Sequence, residues 1–254
     1  MASRTYAAAH GGNRRLGPLI GPAADAELES TPALPVADMA AIQNRMDLIK
    51  HNVLTVAVVG PPGAGKTALL EATARQLREN ARVAVITVNP AADRDANRVS
   101  RYCDQVEAVK IGNPDAASIR PALRRLKLDR TDVLFIESLG GINGAPNLGQ
   151  DVTVAVLAVS GGDDKAAEYA DLLLQSKLLL LGKCELQRHV MFDRGAFRAD
   201  VRRINPMLEM IEVSAFENTG LNRWLAWLDR RRQVKNPAYH PTDMPAPLPD
   251  WFFG

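Results

Sequence analysis

The feature that most constrains this chain is the loop at residues 60–67, which reads Gly-Pro-Pro-Gly-Ala-Gly-Lys-Thr and matches the pattern G-x-x-x-x-G-K-[ST]. A β-branched run at 53–59 precedes the loop, and apolar residues at helical spacing follow it. In this order, backbone N–H groups and a helix N-terminus surround a polyphosphate. Lys66 would supply a cation to the outer phosphates, and Thr67 a hydroxyl to Mg²⁺. The sequence therefore predicts that a nucleoside triphosphate contacts Gly60, Pro61, Pro62, Gly63, Ala64, Gly65, Lys66, Thr67 and Ala68.

Apolar runs alternate with helical patterns along the rest of the chain. We expect strands at 53–59, 82–88, 132–137, 152–159, 177–182 and 210–213, and helices at 36–51, 64–79, 93–102, 115–127, 165–174, 194–204 and 219–232. The strand runs are almost uniformly apolar, as is typical of strands buried on both faces of a parallel sheet. This alternation predicts a three-layer α/β/α fold of the P-loop NTPase class with a mainly parallel sheet.

Composition narrows the setting in which the chain works. Its 254 residues are 46% hydrophobic, which suffices for one large core, and the net charge is only +2, so no global field favours nucleic acid or a membrane surface. Cys103 and Cys184 lie far apart, which argues against a disulfide framework and for a reducing cytoplasm. No stretch reaches the roughly 20 apolar residues of a membrane span, and the N-terminus lacks the apolar region of a secretory signal. We therefore expect a cytoplasmic protein without nucleic-acid or membrane partners.

The two ends differ in composition from the middle. Residues 1–37 are rich in Ala, Gly and Pro without any period, which indicates a flexible N-terminal arm. Residues 38–235 carry the strand and helix patterns and form the expected P-loop domain. Residues 236–254 contain five prolines and end with Trp251-Phe252-Phe253 before the final glycine. This tail is expected either to anchor in a partner's apolar pocket or to fold back on its own domain.

A phosphate-loop enzyme also needs an acid that faces the metal. Glu137 follows the apolar run 133–136 and begins an acid-x-x-Gly arrangement that ends at Gly140. We expect Glu137 and Thr67 to hold Mg²⁺, and the Gly140 N–H to approach the γ-phosphate. The alternative is an acid at a strand end that merely faces solvent.

The end of the second expected strand is a further candidate position for a catalytic acid. A carboxylate there commonly binds Mg²⁺ or orients water, but the first polar residue is Asn89, which cannot act as a base. Asp93 or Asp95 is expected to substitute, unless either only caps the following helix.

Base recognition has a weaker sequence signal. Guanine-specific loops use Asn-Lys-x-Asp after a buried strand, whereas this chain has Gly182, Lys183, Cys184 and Glu185. Lys183 and Glu185 are the candidate base contacts, with Ser214 and Ala215 as the backbone support. Because a misplaced carboxylate loses hydrogen bonds worth about 1.5–3 kcal/mol, we expect GTP with weakened preference, and ATP as the alternative.

These motifs resemble those of the nickel-insertion accessory GTPases, most closely the hydrogenase branch, with the urease branch as a cousin. The resemblance covers about residues 38–232. It is carried by Asn44 and Arg45 and by the segments 50–54, 60–67, 69–71, 95–99, 135–140, 148–149, 160–165, 178–186, 204–206 and 213–215. It implies Mg²⁺ and GTP as cofactor and substrate. It also implies a client metalloenzyme or another maturation factor as partner, together with a homodimer in that branch.

The departures from the family pattern concern metal binding. The hydrogenase branch has a Cys-His-Leu-Asp-Ala segment and a second Cys-Pro that bind nickel or zinc, whereas this chain has neither Cys nor His at 111–116 and has Ala145 before Pro146. Thiolate and imidazole are the ligands that hold such metals. We therefore expect no transition-metal site in this chain.

Two functions follow from these observations. The first is a slow nucleotide hydrolase that serves as an accessory protein in metalloenzyme maturation and switches a homodimer or a client complex. The second is a non-hydrolysing interaction or structural module that has kept only nucleotide binding. A small-molecule kinase is a third, weaker hypothesis, because the loop also opens kinase folds, but 160–165 and 182–185 argue against it.

Overall fold

The computed structural model describes residues 36–89 and 91–237. The helices are α1 (Val36–Lys50), α2 (Lys66–Leu77), α3 (Ala92–Val99), α4 (Ala116–Arg125), α5 (Lys165–Glu168), α6 (Ala170–Gln175), α7 (Arg194–Ile204) and α8 (Leu221–Lys235). The strands are β1 (Leu54–Gly60), β2 (Val83–Val88), β3 (Gln105–Val109), β4 (Val133–Leu139), β5 (Val152–Ala158), β6 (Leu178–Gly182) and β7 (Glu209–Glu212). Apart from 36–37 and 236–237, the predicted arm and tail lie outside the described residues. No described helix is long and apolar enough to span a membrane.

The described strands form one sheet in the order β3-β2-β4-β1-β5-β6-β7, and every neighbouring pair is parallel. β1 is central, with three strands on each side. Because all strands run in the same direction, their carboxyl ends share one edge, where ligands bind in open α/β sheets. The loop after β1 therefore lies at the middle of that edge.

Alternate residues of β1 face opposite sides of the sheet, as the two-residue period of a strand requires. Leu54, Val56 and Val58 pack with α2 and with Trp224 and Trp227 of α8. On the opposite face, Ala57 and Val59 pack with α6 and α7, while β2 and β4 residues there pack with α4 and Leu48 of α1. Both faces are thus covered by helices, which confirms the predicted three-layer α/β/α class.

Two differences from the expected elements have physical causes. The edge strand β3 was not predicted, because it is only five residues long and half-buried, and Gln105 and Glu107 interrupt the continuous apolar run that marks the other strands. The helix expected at 165–174 is interrupted at Tyr169, whose φ of −105° and ψ of 30° separate α5 from α6. The other strands and helices lie at or within a few residues of their expected bounds.

Candidate functional site

The loop between β1 and α2 takes the shape that its glycines permit. Gly63 and Gly65 have φ values of 76° and 94°, in the left-handed region that side chains rarely adopt. A Cβ on Gly60 would lie 2.1 Å from the carbonyl oxygen of Val156 in the neighbouring strand. α2 begins at Lys66, directly after Gly65, so the positive end of its dipole faces the space above the loop.

Lys66 is buried within this loop, with only 5% of its surface exposed. Its Nζ donates hydrogen bonds of 2.9 Å to the carbonyl oxygens of Gly60 and Pro61. Burial lowers the pKa of Lys66, while the charges of Glu137 and Asp95 raise it. The ammonium is therefore held among acceptors at the mouth of the loop, where an anionic phosphate would compete for it.

Glu137 and Thr67 meet beside this lysine. Thr67 Oγ1 donates a 2.6 Å hydrogen bond to Glu137 Oε1. Glu137 is 2% exposed, and its Oε2 has no hydrogen-bond partner among the described residues. Burial raises the pKa of Glu137, against the hydrogen bond from Thr67 and the charge of Lys66, which lower it.

The position of Glu137 differs in one respect from the sequence interpretation. β4 continues to Leu139, so the acid lies within the strand and not at its end. Its burial argues against the alternative of an acid that merely faces solvent. A hydroxyl and a carboxylate with an unpaired buried oxygen are hard oxygen donors of the kind that Mg²⁺ prefers. The donor set at Thr67 and Glu137 therefore fits a magnesium ion.

A cavity of about 420 Å³ opens above the loop, a size that accommodates a small-molecule ligand. Its wall combines the phosphate loop with side chains from the turn after β2, from α3, from β4 and from the turn after β6. The lining residues are Pro62, Gly63, Gly65, Lys66, Thr67, Ala68, Asn89, Ala91, Asp95, Arg98, Glu137, Leu139 and Lys183.

The structure separates the two aspartates that were candidates near the end of β2. Asp95 lines the cavity, and its Oδ2 accepts a 3.0 Å hydrogen bond from Asn89 Nδ2. Asn89 is only 7% exposed and accepts a 2.7 Å bond from the Ala91 N–H, so its side chain is fixed from both ends. Asp93 is not among the cavity-lining residues and forms an ion pair with Lys110.

The candidate base contacts lie at the same sheet edge, after β6 and β7. Lys183 adopts a left-handed conformation with φ of 58°, and its Cγ and Cε lie 3.9 and 3.7 Å from a Cβ built on Gly65. The Cys184 N–H donates to the Val213 carbonyl, which places the turn of Glu185 beside Ser214. Glu185 Oε2 is buried with no hydrogen-bond partner among the residues the structure describes.

Ser214 and Ala215 were predicted to support a base through their backbone. Ser214 is fully buried, and its N–H donates to the carbonyl of Thr219 at 2.9 Å. Ala215 packs against the core that includes α2 and α8. Their contact with a base stays a prediction.

Gly140 has a different partner from the one expected. Its N–H donates a 3.0 Å hydrogen bond to the carbonyl of Gly60, and a Cβ there would lie 2.6 Å from Val59 Cγ1. Gly140 therefore packs β4 against β1 in this structure, and its contact with a γ-phosphate stays a prediction.

The sequence interpretation missed Arg98 and Leu139 as parts of the cavity wall. Arg98 Nη2 pairs with Glu71 Oε2 of α2 at 2.9 Å, so it joins α3 to the helix that begins at the loop. The spacing of Arg98 three residues after Asp95 was the available signal, because residues three apart share a helix face. Among the described residues, no group of three or more His, Cys, Asp or Glu side chains is placed to hold a metal ion.

Comparison with known proteins agrees with this geometry. A family model described as "CobW/HypB/UreG, nucleotide-binding domain" matches residues 54–212, which include the loop, Glu137 and the turn after β6. The hydrogenase maturation factor HypB of Azotobacter vinelandii is 37% identical over 205 residues, covering 78% of this chain and 67% of that protein. The HypB of Escherichia coli K12 is 34% identical over 195 residues, covering 75% and 67%.

Solved structures show the same architecture. The hydrogenase maturation factor HypB from Archaeoglobus fulgidus has a TM-score of 0.70 at 27% identity, covering 79% of this chain and 98% of that one. HypB from Helicobacter pylori, solved in complex with nickel, has a TM-score of 0.73 at 21% identity, covering 81% and 99%. At that identity the second likeness concerns the fold alone.

Proposed function

Because this chain belongs to the CobW/HypB/UreG nucleotide-binding family, we propose that it is a slow, Mg²⁺-dependent nucleotide hydrolase. We further propose that it serves as an accessory protein in the maturation of a metalloenzyme such as a nickel hydrogenase. The observation that carries the first proposal is the buried pair of Thr67 and Glu137 beside Lys66, at the helix end that faces the cavity. The names of its relatives support the second.

The roles of the loop residues follow from their contacts. The backbone N–H groups around Gly63 and Gly65 would cradle the phosphates, and Lys66 would exchange its bonds to Gly60 and Pro61 for bonds to phosphate oxygens. Thr67 and Glu137 would hold Mg²⁺, which when bound neutralises charge on the β- and γ-phosphates.

Asp95 is the carboxylate best placed to orient the attacking water. It lines the cavity and its charge acts on both Lys66 and Glu137, whereas Asp93 is occupied by Lys110. In hydrolysis, the water oxygen bonds to the γ-phosphorus while the bond to the bridging oxygen breaks and its electron pair stays on the diphosphate. The proton of the water passes to Asp95 and then to solvent.

Comparing the two aspartates by substitution tests this role. Asp95→Asn keeps an acceptor for Asn89, so we expect little change in nucleotide affinity. Because the amide cannot accept the proton of the water, we expect a loss of at least about tenfold in kcat. Asp93→Asn is the matched control on the same helix and should retain wild-type turnover. Equal turnover in the two variants would contradict the assignment of Asp95.

The second candidate function, a non-hydrolysing interaction module, is favoured by one observation. The residue directly after β2 is Asn89, an amide in the position where a carboxylate commonly binds Mg²⁺ or orients water. The two functions differ in turnover under single-turnover conditions. Release of phosphate that disappears in the Glu137→Gln variant supports the hydrolase, and nucleotide binding without any phosphate release supports the module.

We propose that GTP is the preferred nucleotide with ATP as a competitor, and that this chain alone does not bind nickel tightly. Ile111, Asn113 and Ala145 offer no thiolate or imidazole where the related proteins carry their ligands. Titration with Ni²⁺ or Zn²⁺ followed by calorimetry should show no tight equivalent per chain. One tight equivalent would mean that other side chains form a site.

The accessory role has its own test. Deleting the gene for this chain in its source organism should lower the activity of a nickel hydrogenase, and the wild-type gene should restore that activity where the Lys66→Ala gene does not. Unchanged hydrogenase activity in the deletion strain would contradict the role in hydrogenase maturation.

A further inference from the structure

Phe216 is an aromatic side chain held in solvent beside the predicted base contacts. It is 85% exposed, and it takes part in none of the aromatic ring pairs found among the described residues. A single exposed phenylalanine needs no explanation by itself. Phe216, however, lies on the same sheet edge as the nucleotide cavity, where a ligand could cover its ring.

The register of the last two strands fixes that position. β6 and β7 are parallel neighbours, with Leu181 paired to Glu212, so their following turns leave the same edge side by side. The Cys184 N–H donates to the Val213 carbonyl at 3.3 Å, which joins the two turns. Phe216 follows Val213 by three residues, and Lys183 on the neighbouring turn lines the cavity.

The loop that carries Phe216 is tied down on both sides. Within the loop, the Glu217 N–H donates to Ser214 Oγ at 3.0 Å, and the Ser214 N–H donates to the Thr219 carbonyl at 2.9 Å. Asn218 accepts a 2.8 Å bond from Arg75 of α2. The ring is therefore presented by an ordered turn, so little conformational entropy would be lost when a ligand packs on it.

Glu185, on the turn after β6, carries an unpaired acceptor beside the loop of Phe216. Glu185 Oε2 lacks a hydrogen-bond donor among the described residues, and burying an unpaired acceptor is costly. Amino groups and ring N–H groups on the edges of adenine and guanine are donors that would satisfy it. Rotation of the Glu185 side chain toward the cavity would pair this acceptor with a base edge, while Phe216 already offers an exposed surface for a base face.

From this juxtaposition, and resting on the proposed nucleotide binding, we infer that Phe216 is a stacking residue for a purine base. Because both purines have similar aromatic faces, stacking contributes to GTP and ATP alike, unlike hydrogen bonds to one base edge. The ligand class is a purine nucleoside triphosphate with modest discrimination between guanine and adenine.

The test measures affinity for GTP, ATP and inorganic tripolyphosphate in the presence of Mg²⁺ by calorimetry. Phe216→Ala should weaken GTP and ATP binding by similar factors, about tenfold, and leave tripolyphosphate unchanged because it has no base. Phe216→Trp should retain the nucleotide affinities. The matched control is Met207→Ala, which removes an 89% exposed apolar side chain shortly before β7, at the opposite edge of the sheet.

Three results would overturn the inference. Unchanged GTP and ATP affinity in Phe216→Ala would show that the ring does not contact the base. An equal loss of tripolyphosphate affinity would show a distorted loop, and a loss confined to one nucleotide would contradict recognition through the face. Absence of nucleotide and tripolyphosphate binding in the wild-type protein would contradict the proposed function itself.

Discussion

At the residue scale, the site depends on two opposite charges that are both buried. Lys66 and Glu137 are each almost inaccessible, and burial shifts both pKa values toward the neutral form. Holding charges in this way costs stability in the absence of ligand, and an incoming anion with its metal ion would compensate both. The free protein is thus expected to gain stability on binding Mg²⁺ and nucleotide.

The raised pKa of Glu137 gives a prediction about pH. In the folded protein this acid retains its proton to higher pH than its ordinary value of 4.5, so the wild-type protein loses stability as pH rises through the folded-state pKa. Glu137→Gln keeps an acceptor for Thr67 but cannot ionise. Its free energy of unfolding relative to wild type should therefore increase from pH 5 to pH 8 in urea titrations without nucleotide. A difference that is constant or decreases over this range would contradict the account.

Sequence alone could place some site residues and not others, and the reason is geometric. The loop motif specifies Lys66 and Thr67 through backbone geometry, so their positions could be predicted directly. Asp93 and Asp95 could not be separated, because both lie in the first turn of a helix whose orientation depends on tertiary packing. Residues two apart on a helix differ by about 200° in direction, so only one of them faces the cavity.

At the scale of elements, Asn44 connects three parts of the fold. Its Nδ2 donates to the carbonyls of Ala116 in α4 and Leu148 in the loop before β5, and its Oδ1 accepts from Arg120. It is fully buried. This polar side chain can be buried because it donates to buried backbone carbonyls, and through these hydrogen bonds it holds α1 against α4.

Removing this side chain should destabilise the protein without affecting the nucleotide site directly. Asn44→Ala leaves two carbonyls without their donor, so we expect a loss of roughly 2–3 kcal/mol in the free energy of unfolding. Gln43→Ala, at the adjacent exposed position, should change it by less than about 0.5 kcal/mol. Urea denaturation measures both, and equal effects would show that Asn44 makes no special contribution.

The elements that could be predicted are those with a strong local pattern. β1, β2, β4, β5 and β6 are nearly continuous apolar runs because helices cover both faces of the sheet, and such runs are easily recognised. β3 is a half-buried edge strand of only five residues, so its alternation of polar and apolar side chains is too short to stand out from a loop. Its pairing with β2 is a tertiary contact between segments separated by α3, which no local pattern contains.

At the scale of the whole molecule, the central position of β1 brings together residues that are distant in sequence. The turn after β2 contributes Asn89 and leads to Asp95 on α3, β4 contributes Glu137, and the turn after β6 contributes Lys183, all around the loop at 60–67. The parallel order makes this convergence a consequence of topology, since each strand delivers its following turn to one edge. The fold and the family resemblance drawn from the motifs are confirmed by the matched family model and by the relatives.

The central claim is that this cavity binds a nucleoside triphosphate with Mg²⁺ through Lys66. Calorimetric titration of the wild-type chain with GTP and Mg²⁺ tests it most directly, with Lys66→Ala as the disabled variant and Lys50→Ala, an exposed lysine at the end of α1, as the control. We predict one equivalent of GTP for the wild type and the control, and at least about tenfold weaker binding for Lys66→Ala. The account would be contradicted if neither GTP nor ATP bound the wild-type protein at concentrations up to about 1 mM.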